Sequence, residues 1–123
     1  MDMLDIAGVA VPLPDGWEMP PEGRSYLGED GLLDVRVVDV SKPITQERLR
    51  IATEKLSERN ANVELLEVQG FKCLFCSYRK DGCLVVTYSF DVDQETEVRA
   101  VYAFVDGSEL RADVVAQQIG QMP

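Results

Sequence analysis

Residues 71–92 (FKCLFCSYRKDGCLVVTYSFDV) constrain the fold more than any other stretch, because an Asp-Gly pair separates two runs rich in aromatic and β-branched residues. Asp81-Gly82 fits a two-residue type I′ turn, in which both central residues need positive φ. The pattern predicts a long β-hairpin in which Arg79 faces Leu84. One side of this hairpin is apolar and is expected to face the core, whereas the other side is mixed. The mixed side carries Lys72, Leu74, Cys76, Tyr78, Val85 and Thr87.

Hydrophobic alternation predicts further strands elsewhere in the chain. They span residues 5–13, 24–27, 32–40, 63–68 and 98–105. The first is expected to be an edge strand, because it contains Pro12. The C-terminal half of 32–40 is apolar on both sides, which predicts an inner strand covered on both faces. Pro14-Asp15-Gly16 predicts a turn that places Trp17 at one end of the core.

Two amphipathic segments predict helices. Thr45 is the expected N-cap of the first helix, which runs to about Asn60. Asp106 is the expected N-cap of the second, and Glu109 completes a capping box with it. The predicted apolar face of the second helix consists of Leu110, Val114, Val115 and Ile119. This order of elements indicates a single α+β domain over residues 1–123, with a mostly antiparallel β-sheet flanked by helices.

The charge of the chain limits the classes of partner. There are 22 acidic and 12 basic residues, and the formal net charge is −10. Such a surface repels phosphate backbones and anionic lipid head groups, so binding to nucleic acid or to a membrane surface is disfavoured. A basic partner protein suits this charge, although solubility alone also accounts for it.

Three features of the sequence indicate the compartment. No segment approaches the ~20 apolar residues that a membrane-spanning helix needs. The first residues, MDMLDIAGVAVPLP, lack the basic region of a signal peptide. Three cysteines cannot pair completely within one chain, which favours a reducing environment. We therefore expect a cytoplasmic protein, or an extracytoplasmic one if a signal segment has been removed.

The residue types that most often carry catalysis are absent or unsuitably placed. Histidine, the commonest general base and metal ligand, does not occur. Cys73 and Cys76 have the spacing of a redox or zinc motif, but residues three apart in a strand point to opposite faces. No phosphate-binding glycine motif is present, and no histidine is available to activate a serine or threonine. We expect no catalytic residue, metal or cofactor, and no enzymatic activity.

An acidic segment resembles the start of a calcium-binding EF-hand loop. It consists of Asp91, Asp93 and Glu95 at alternate positions. The sixth position of such a loop requires glycine and the twelfth requires glutamate, but Thr96 and Tyr102 occupy these positions. We therefore interpret the segment as an exposed acidic hairpin tip that would meet a basic partner.

Three short segments resemble a known family. They are residues 11–17 (VPLPDGW), 44–49 (ITQERL) and 68–71 (VQGF). With the order of elements, they resemble the PsbP-like family, particularly its bacterial DcrB-related branch. The resemblance implies an α/β/α sandwich around an antiparallel sheet, and it implies no catalytic residues. Members of that family are mostly binding proteins, including photosystem accessory subunits, a Ran-binding import factor and cytosolic chaperones for secreted bacterial effectors.

Two functions remain open. The first is a non-enzymatic cytosolic protein-interaction module, such as an adaptor, an effector chaperone or an immunity-type protein, with homodimerisation left open. Its docking residues would be Leu74, Cys76, Tyr78, Val85, Asp91, Asp93 and Glu95. The alternative is a small-ligand or lipid-binding domain with a pocket between sheet and helix. That pocket would lie near Trp17, Tyr88 and Tyr102.

Overall fold

The computed structural model describes residues 1–39, 44–93 and 95–121. They form an α+β fold, as predicted. The strands are β1 (Asp2–Ile6), β2 (Val9–Leu13), β3 (Tyr26–Gly28), β4 (Gly31–Asp39), β5 (Asn62–Val68), β6 (Phe71–Lys80), β7 (Cys83–Asp93) and β8 (Thr96–Val105). The helices are α1 (Gln46–Leu56) and α2 (Leu110–Ile119), and a short 3-10 helix, Ser57–Arg59, follows α1.

Six strands form one antiparallel sheet in the order β3-β4-β8-β7-β6-β5. The hairpin of β6 and β7 lies within this sheet and has the predicted register, with Arg79 opposite Leu84. Asp81 and Gly82 have φ angles of 52° and 77°, as a type I′ turn requires. The turn dipeptide and the alternation of apolar residues together fix this register, because a slip of one residue would turn every core side chain outward.

The two faces of the sheet have different coverings. The inner face carries the aromatic core, which includes Phe75, Tyr88, Phe90, Tyr102 and Phe104. The hairpin of β1 and β2 covers this face together with α2, through Val9, Val11, Val115 and Ile119. The outer face carries the alternate residues, and α1 packs against it next to β5. The two helices therefore lie on opposite faces of the sheet.

The first helix begins as predicted. Thr45 has an extended backbone, and its hydroxyl oxygen accepts a hydrogen bond from the backbone nitrogen of Arg48 at 3.3 Å. This contact satisfies one of the free amides of the first turn. The regular helix ends at Leu56, and the 3-10 helix extends the helical segment to Arg59.

Gln69 joins three elements at one corner of the fold. It occupies the turn between β5 and β6 with a φ angle of 55°. Its side-chain nitrogen donates to the carbonyl oxygens of Ala10 at 2.8 Å and Ile119 at 3.0 Å. Its side-chain oxygen accepts from the backbone nitrogen of Ala10 at 2.9 Å. One amide side chain thus ties the sheet to β2 and to the end of α2.

The prediction of a single edge strand over residues 5–13 is wrong. The segment belongs to a hairpin in which β1 and β2 form a separate two-stranded sheet. Ala7 and Gly8 make the turn, with φ angles of 50° and 89°. The glycine that interrupts the alternation is therefore a turn residue. The carbonyl oxygen of Pro12 on β2 accepts a hydrogen bond from the Tyr102 hydroxyl at 2.6 Å, which fastens this hairpin to the inner face.

The predicted start of the last helix is also wrong. α2 begins at Leu110, and Asp106 lies in the preceding turn. There its carboxylate accepts a hydrogen bond from Arg79 at 2.8 Å, so Arg79 competes for the group that was expected to cap the helix. The apolar face of α2 also differs from the predicted one, because Leu110 is 79% exposed and Val114 is 41% exposed. The side of α2 that faces the sheet consists of Ala112, Val115, Ala116 and Ile119.

β4 is not covered on both faces as predicted. β3 pairs only with residues 31–33, so the remainder of β4 pairs with β8 alone. Val37 in this remainder is 55% exposed. The prediction failed because strand composition reflects the neighbouring packing surfaces, and a single strand does not reveal how long its neighbour is. Val40, the predicted end of the strand, lies outside the described residues.

Candidate functional site

A row of apolar side chains crosses five strands on the outer face. Residues directly opposite one another in an antiparallel sheet share a face. The register connects Leu27, Leu32, Ala103, Val85 and Tyr78 in that order. We call these five residues the apolar row. Leu27 is 47% exposed, and the other four are half-buried.

The opposite end of the outer face is covered. Leu74 is 7% exposed and Glu97 is completely buried. Ile44, just before α1, is buried as well, and Arg48 of α1 forms an ion pair with Glu97. α1 therefore shields this end of the face and leaves the end with the apolar row accessible to solvent.

Glu97 is the buried charge that fixes α1 on the sheet. Its Oε2 accepts hydrogen bonds from Arg99, at 2.9 Å from Nε and 2.6 Å from Nη2. Its Oε1 contacts the guanidinium of Arg48. Burying a carboxylate costs several kcal/mol unless such partners offset the loss of water. The role of Glu97 could not be predicted from the sequence, because an acidic residue at the start of a strand is typical of an exposed turn.

The structure separates the predicted docking residues. Leu74 is 7% exposed, so little of its side chain is accessible to a partner. Cys76, Tyr78 and Val85 are half-buried on the outer face. The acidic residues lie at or just beyond the other end of β7, and the first of them is about 20 Å from Val85 at a rise of about 3.3 Å per residue. These acidic residues are Asp91, Asp93 and Glu95. The apolar and the acidic docking residues are therefore two separate groups.

The three aromatic residues predicted to line a pocket are all buried. Tyr88 borders one cleft, and Trp17 borders another of about 330 Å³. The Tyr102 hydroxyl is used in its hydrogen bond to Pro12. Trp17 donates from Nε1 to Asp30 Oδ1 at 2.7 Å. Burial raises the pKa of both Tyr88 and Tyr102 above the usual value. Trp17 and Tyr102 are thus residues of the core.

Tyr88 borders an open cleft between α2 and the inner face. The volume of this cleft is about 220 Å³. Phe75 contributes to its floor, and Ala112 and Ala116 of α2 line the opposite side. Because both alanines are small, space remains between the helix and the sheet. The Tyr88 hydroxyl donates to Gln121 Oε1 at 2.6 Å at its border. The polar side chains along the cleft are Asn62, Ser77, Asp113 and Gln121.

Two of the cysteines lie on opposite faces of the sheet, as predicted. Cys73 lies on the inner face and Cys76 on the outer face. Burial raises the pKa of the Cys73 thiol to about 12, and it also raises the pKa of Cys76. Only a thiolate is an effective nucleophile, so burial disfavours the reactive form of both cysteines. In residues 1–39, 44–93 and 95–121, no group of three or more His, Cys, Asp or Glu side chains is arranged to hold a metal ion.

Comparison with known proteins adds no identification. No family model matches the chain, and no curated protein or solved structure matches it either. In the part of the chain that the structure describes, neither helix has the length and apolar character needed to span a bilayer. Functional inference therefore depends on the geometry of this chain itself.

Proposed function

We propose that the protein is a non-enzymatic protein-interaction module that binds another protein on the open end of its outer face. The apolar row is the observation that carries this proposal. A solvated face of an antiparallel sheet ordinarily carries polar residues. Here five paired positions on five strands are apolar or aromatic where α1 does not cover them. A contiguous, partly exposed apolar surface of this kind supports a docking site.

The proposed partner presents apolar side chains flanked by lysine or arginine. Its apolar side chains would bury the row, and Tyr78 and the aliphatic residues beside it are typical of the centre of an interface. The net charge of −10 would attract the basic flanks and accelerate the encounter. Asp93 and Glu95 would contact a flank that extends along β7, because they are exposed at its far end.

The proposal agrees with what the PsbP-like resemblance implies, which is a binding protein of the adaptor, effector-chaperone or immunity type. We propose a cytoplasmic location for this function. Cys73, Cys76 and Cys83 are free thiols, and free thiols persist in a reducing compartment. The interaction needs no cofactor or metal.

Affinity purification from the native host tests the proposal with two matched variants. Val85→Lys places a charge in the apolar row, whereas Val37→Lys makes the same substitution at an exposed residue on the other face. We expect one partner to be retained by the wild-type protein and by Val37→Lys but lost with Val85→Lys. Retention should also weaken as salt is raised. Equal retention by both variants, each shown by circular dichroism to be folded, would refute the proposed site.

A second candidate function is the binding of a small ligand in the cleft beside Tyr88. The observation that favours it is the space below Ala112 and Ala116, which combines an aromatic floor with polar groups at the border. Ligand sites are commonly apolar concavities with a few polar groups that fix orientation. Of the three aromatic residues predicted to line a pocket, Tyr88 lines this cleft.

A further inference from the structure

A second cleft at the edge of the sheet adjoins the cleft beside Tyr88. The second cleft has a volume of about 350 Å³, and both are lined by Asn62, Ser77 and Leu84. Asn62 and Ser77 are opposite each other on β5 and β6 and lie at the border that the two clefts share. We call the two adjoining clefts together the groove; it is apolar under α2 and polar beyond Ser77.

Arg59 lies at the polar end of this groove. Its guanidinium is held over the ring of Tyr78, 5.3 Å from the centroid. Arg59 forms no salt bridge with the residues that the structure describes. Arg79 at the same end is different, because Asp106 and Glu109 bind it at 2.8 Å and 3.2 Å. Arg59 is therefore a positioned cation whose hydrogen-bond donors are available to a ligand.

The polar end of the groove suits an anion. Its lining comprises Arg59, Asn60, Asn62, Ser77, Tyr78, Arg79 and Leu84, and none of these is acidic. The apolar end includes Asp113 instead, whose carboxylate would repel an anionic group. The charges thus define an orientation along the groove, with the anionic end of a ligand at Arg59 and its apolar end under α2.

We propose that the groove binds a small amphipathic carboxylate. Its carboxylate pairs with Arg59, and its hydrocarbon body lies over Phe75 and Tyr88 beneath α2. Guanidinium and carboxylate groups match in shape and form strong charge-assisted hydrogen bonds. Phe75 and Arg79 are four residues apart on β6, so the groove spans about 13 Å, which suits a medium-length chain. This inference rests on the second candidate function and adds the chemistry of the ligand.

Titration of the full chain with octanoate and with 1-octanol tests the inference. Calorimetry should show octanoate binding about tenfold more tightly, because only the acid pairs with Arg59. Arg59→Gln should reduce octanoate affinity to that of octanol and leave octanol unchanged. Arg50→Gln is the control, because Arg50 is exposed on α1 and bound to Glu47 and Glu54. This variant should bind both probes like the wild type.

A variant that fills the cleft completes the test. Ala116→Leu should abolish binding of both probes. If Ala116→Leu does not fold, Ala112→Leu is the variant to test instead, with the same expected result. Amide shifts in nuclear magnetic resonance spectra should be largest at Asn62 and Ser77. If both probes bind equally and Arg59→Gln has no effect, the carboxylate assignment is wrong but the proposal that the cleft binds a ligand is retained. If neither probe binds, the carboxylate assignment and the proposed ligand cleft are both wrong.

Discussion

The Trp17 indole nitrogen donates a hydrogen bond to Asp30 Oδ1 at 2.7 Å, and this contact holds the ring against the turn between β3 and β4. Two glycines beside the ring make the arrangement possible. A Cβ at Gly28 would lie 2.1 Å from Trp17 Cδ1. A Cβ at Gly31 would lie 2.1 Å from the carbonyl oxygen of Ala103 and 2.8 Å from Trp17 Cζ2. The backbone of this turn is thus the surface on which the tryptophan packs.

Gly31→Ala is therefore expected to destabilise the protein. The new methyl group would meet the backbone of β8, which cannot move aside as a flexible side chain could. The free energy of unfolding should therefore fall by about 1–3 kcal/mol, the usual cost of overpacking. Urea unfolding followed by the fluorescence of Trp17 measures the change. Glu29→Ala, in the same turn but exposed, should leave stability nearly unchanged. Equal stability of the two variants would contradict the packing described.

Gln69→Ala should loosen the corner where the sheet meets β2 and α2. The variant loses the three side-chain hydrogen bonds of Gln69, two with Ala10 and one with Ile119. We expect a loss of about 1–2 kcal/mol, because water can replace part of these bonds. Hydrogen exchange at the Ala10 amide should accelerate.

Gln69→Gly distinguishes the contribution of the side-chain hydrogen bonds from that of the backbone conformation. It removes the same hydrogen bonds, but glycine favours the positive φ of this position. It should therefore be more stable than Gln69→Ala and less stable than the wild type. Wild-type stability in both variants would show that the side chain does not join these elements.

Glu97→Gln should weaken the attachment of α1. The substitution preserves the shape of the side chain but leaves Arg48 and Arg99 without their shared carboxylate. Removing one partner of a buried ion pair typically costs 3–5 kcal/mol, and the partial exposure of both arginines favours the lower value of about 3 kcal/mol. Thermal unfolding measures this loss. Glu47→Gln on the exposed side of α1 is the matched control and should change stability little; similar results for both variants would contradict this role.

Stability should fall at alkaline pH. Folding raises the pKa of Cys73 from 9.0 to about 12, because burial disfavours the thiolate. The thiol therefore loses its proton at a lower pH in the unfolded chain than in the folded protein. The free energy of unfolding that depends on the protonated thiol is fully present below pH 9 and is lost as pH rises toward 12. Burial of Tyr88 and Tyr102 acts in the same direction at pH values above 10.0. The free energy of unfolding, measured by denaturation at pH values from 7 to 10.5, should show this decline. It should fall less steeply with pH in Cys73→Ala than in the wild type. An identical slope in that variant would exclude Cys73 as a cause.

The parts of the fold that local rules determine could be predicted from the sequence. Asp81-Gly82 requires a turn with two positive φ angles, and the flanking alternation then leaves one register for β6 and β7. Thr45 similarly specifies the start of α1. These features depend on residues that are close together in the chain.

Other features depend on distant residues and could not be predicted. Asp106 does not cap α2, and its carboxylate instead binds Arg79, 27 residues away. The apolar row draws its members from five strands, so it becomes visible only when the complete register is known. The cleft beside Tyr88 likewise depends on which side of α2 presents Ala112 and Ala116 to the sheet.

Site-specific photo-crosslinking in the native host tests the central claim most directly. A benzoylphenylalanine at Ala103 would lie in the middle of the apolar row, and one at Gln117 would lie on the exposed side of α2. We predict that irradiation joins a second, different protein to position 103 and not to position 117. No adduct at position 103, the same adduct at both positions, or an adduct with only a second copy of this chain would contradict the proposed docking site.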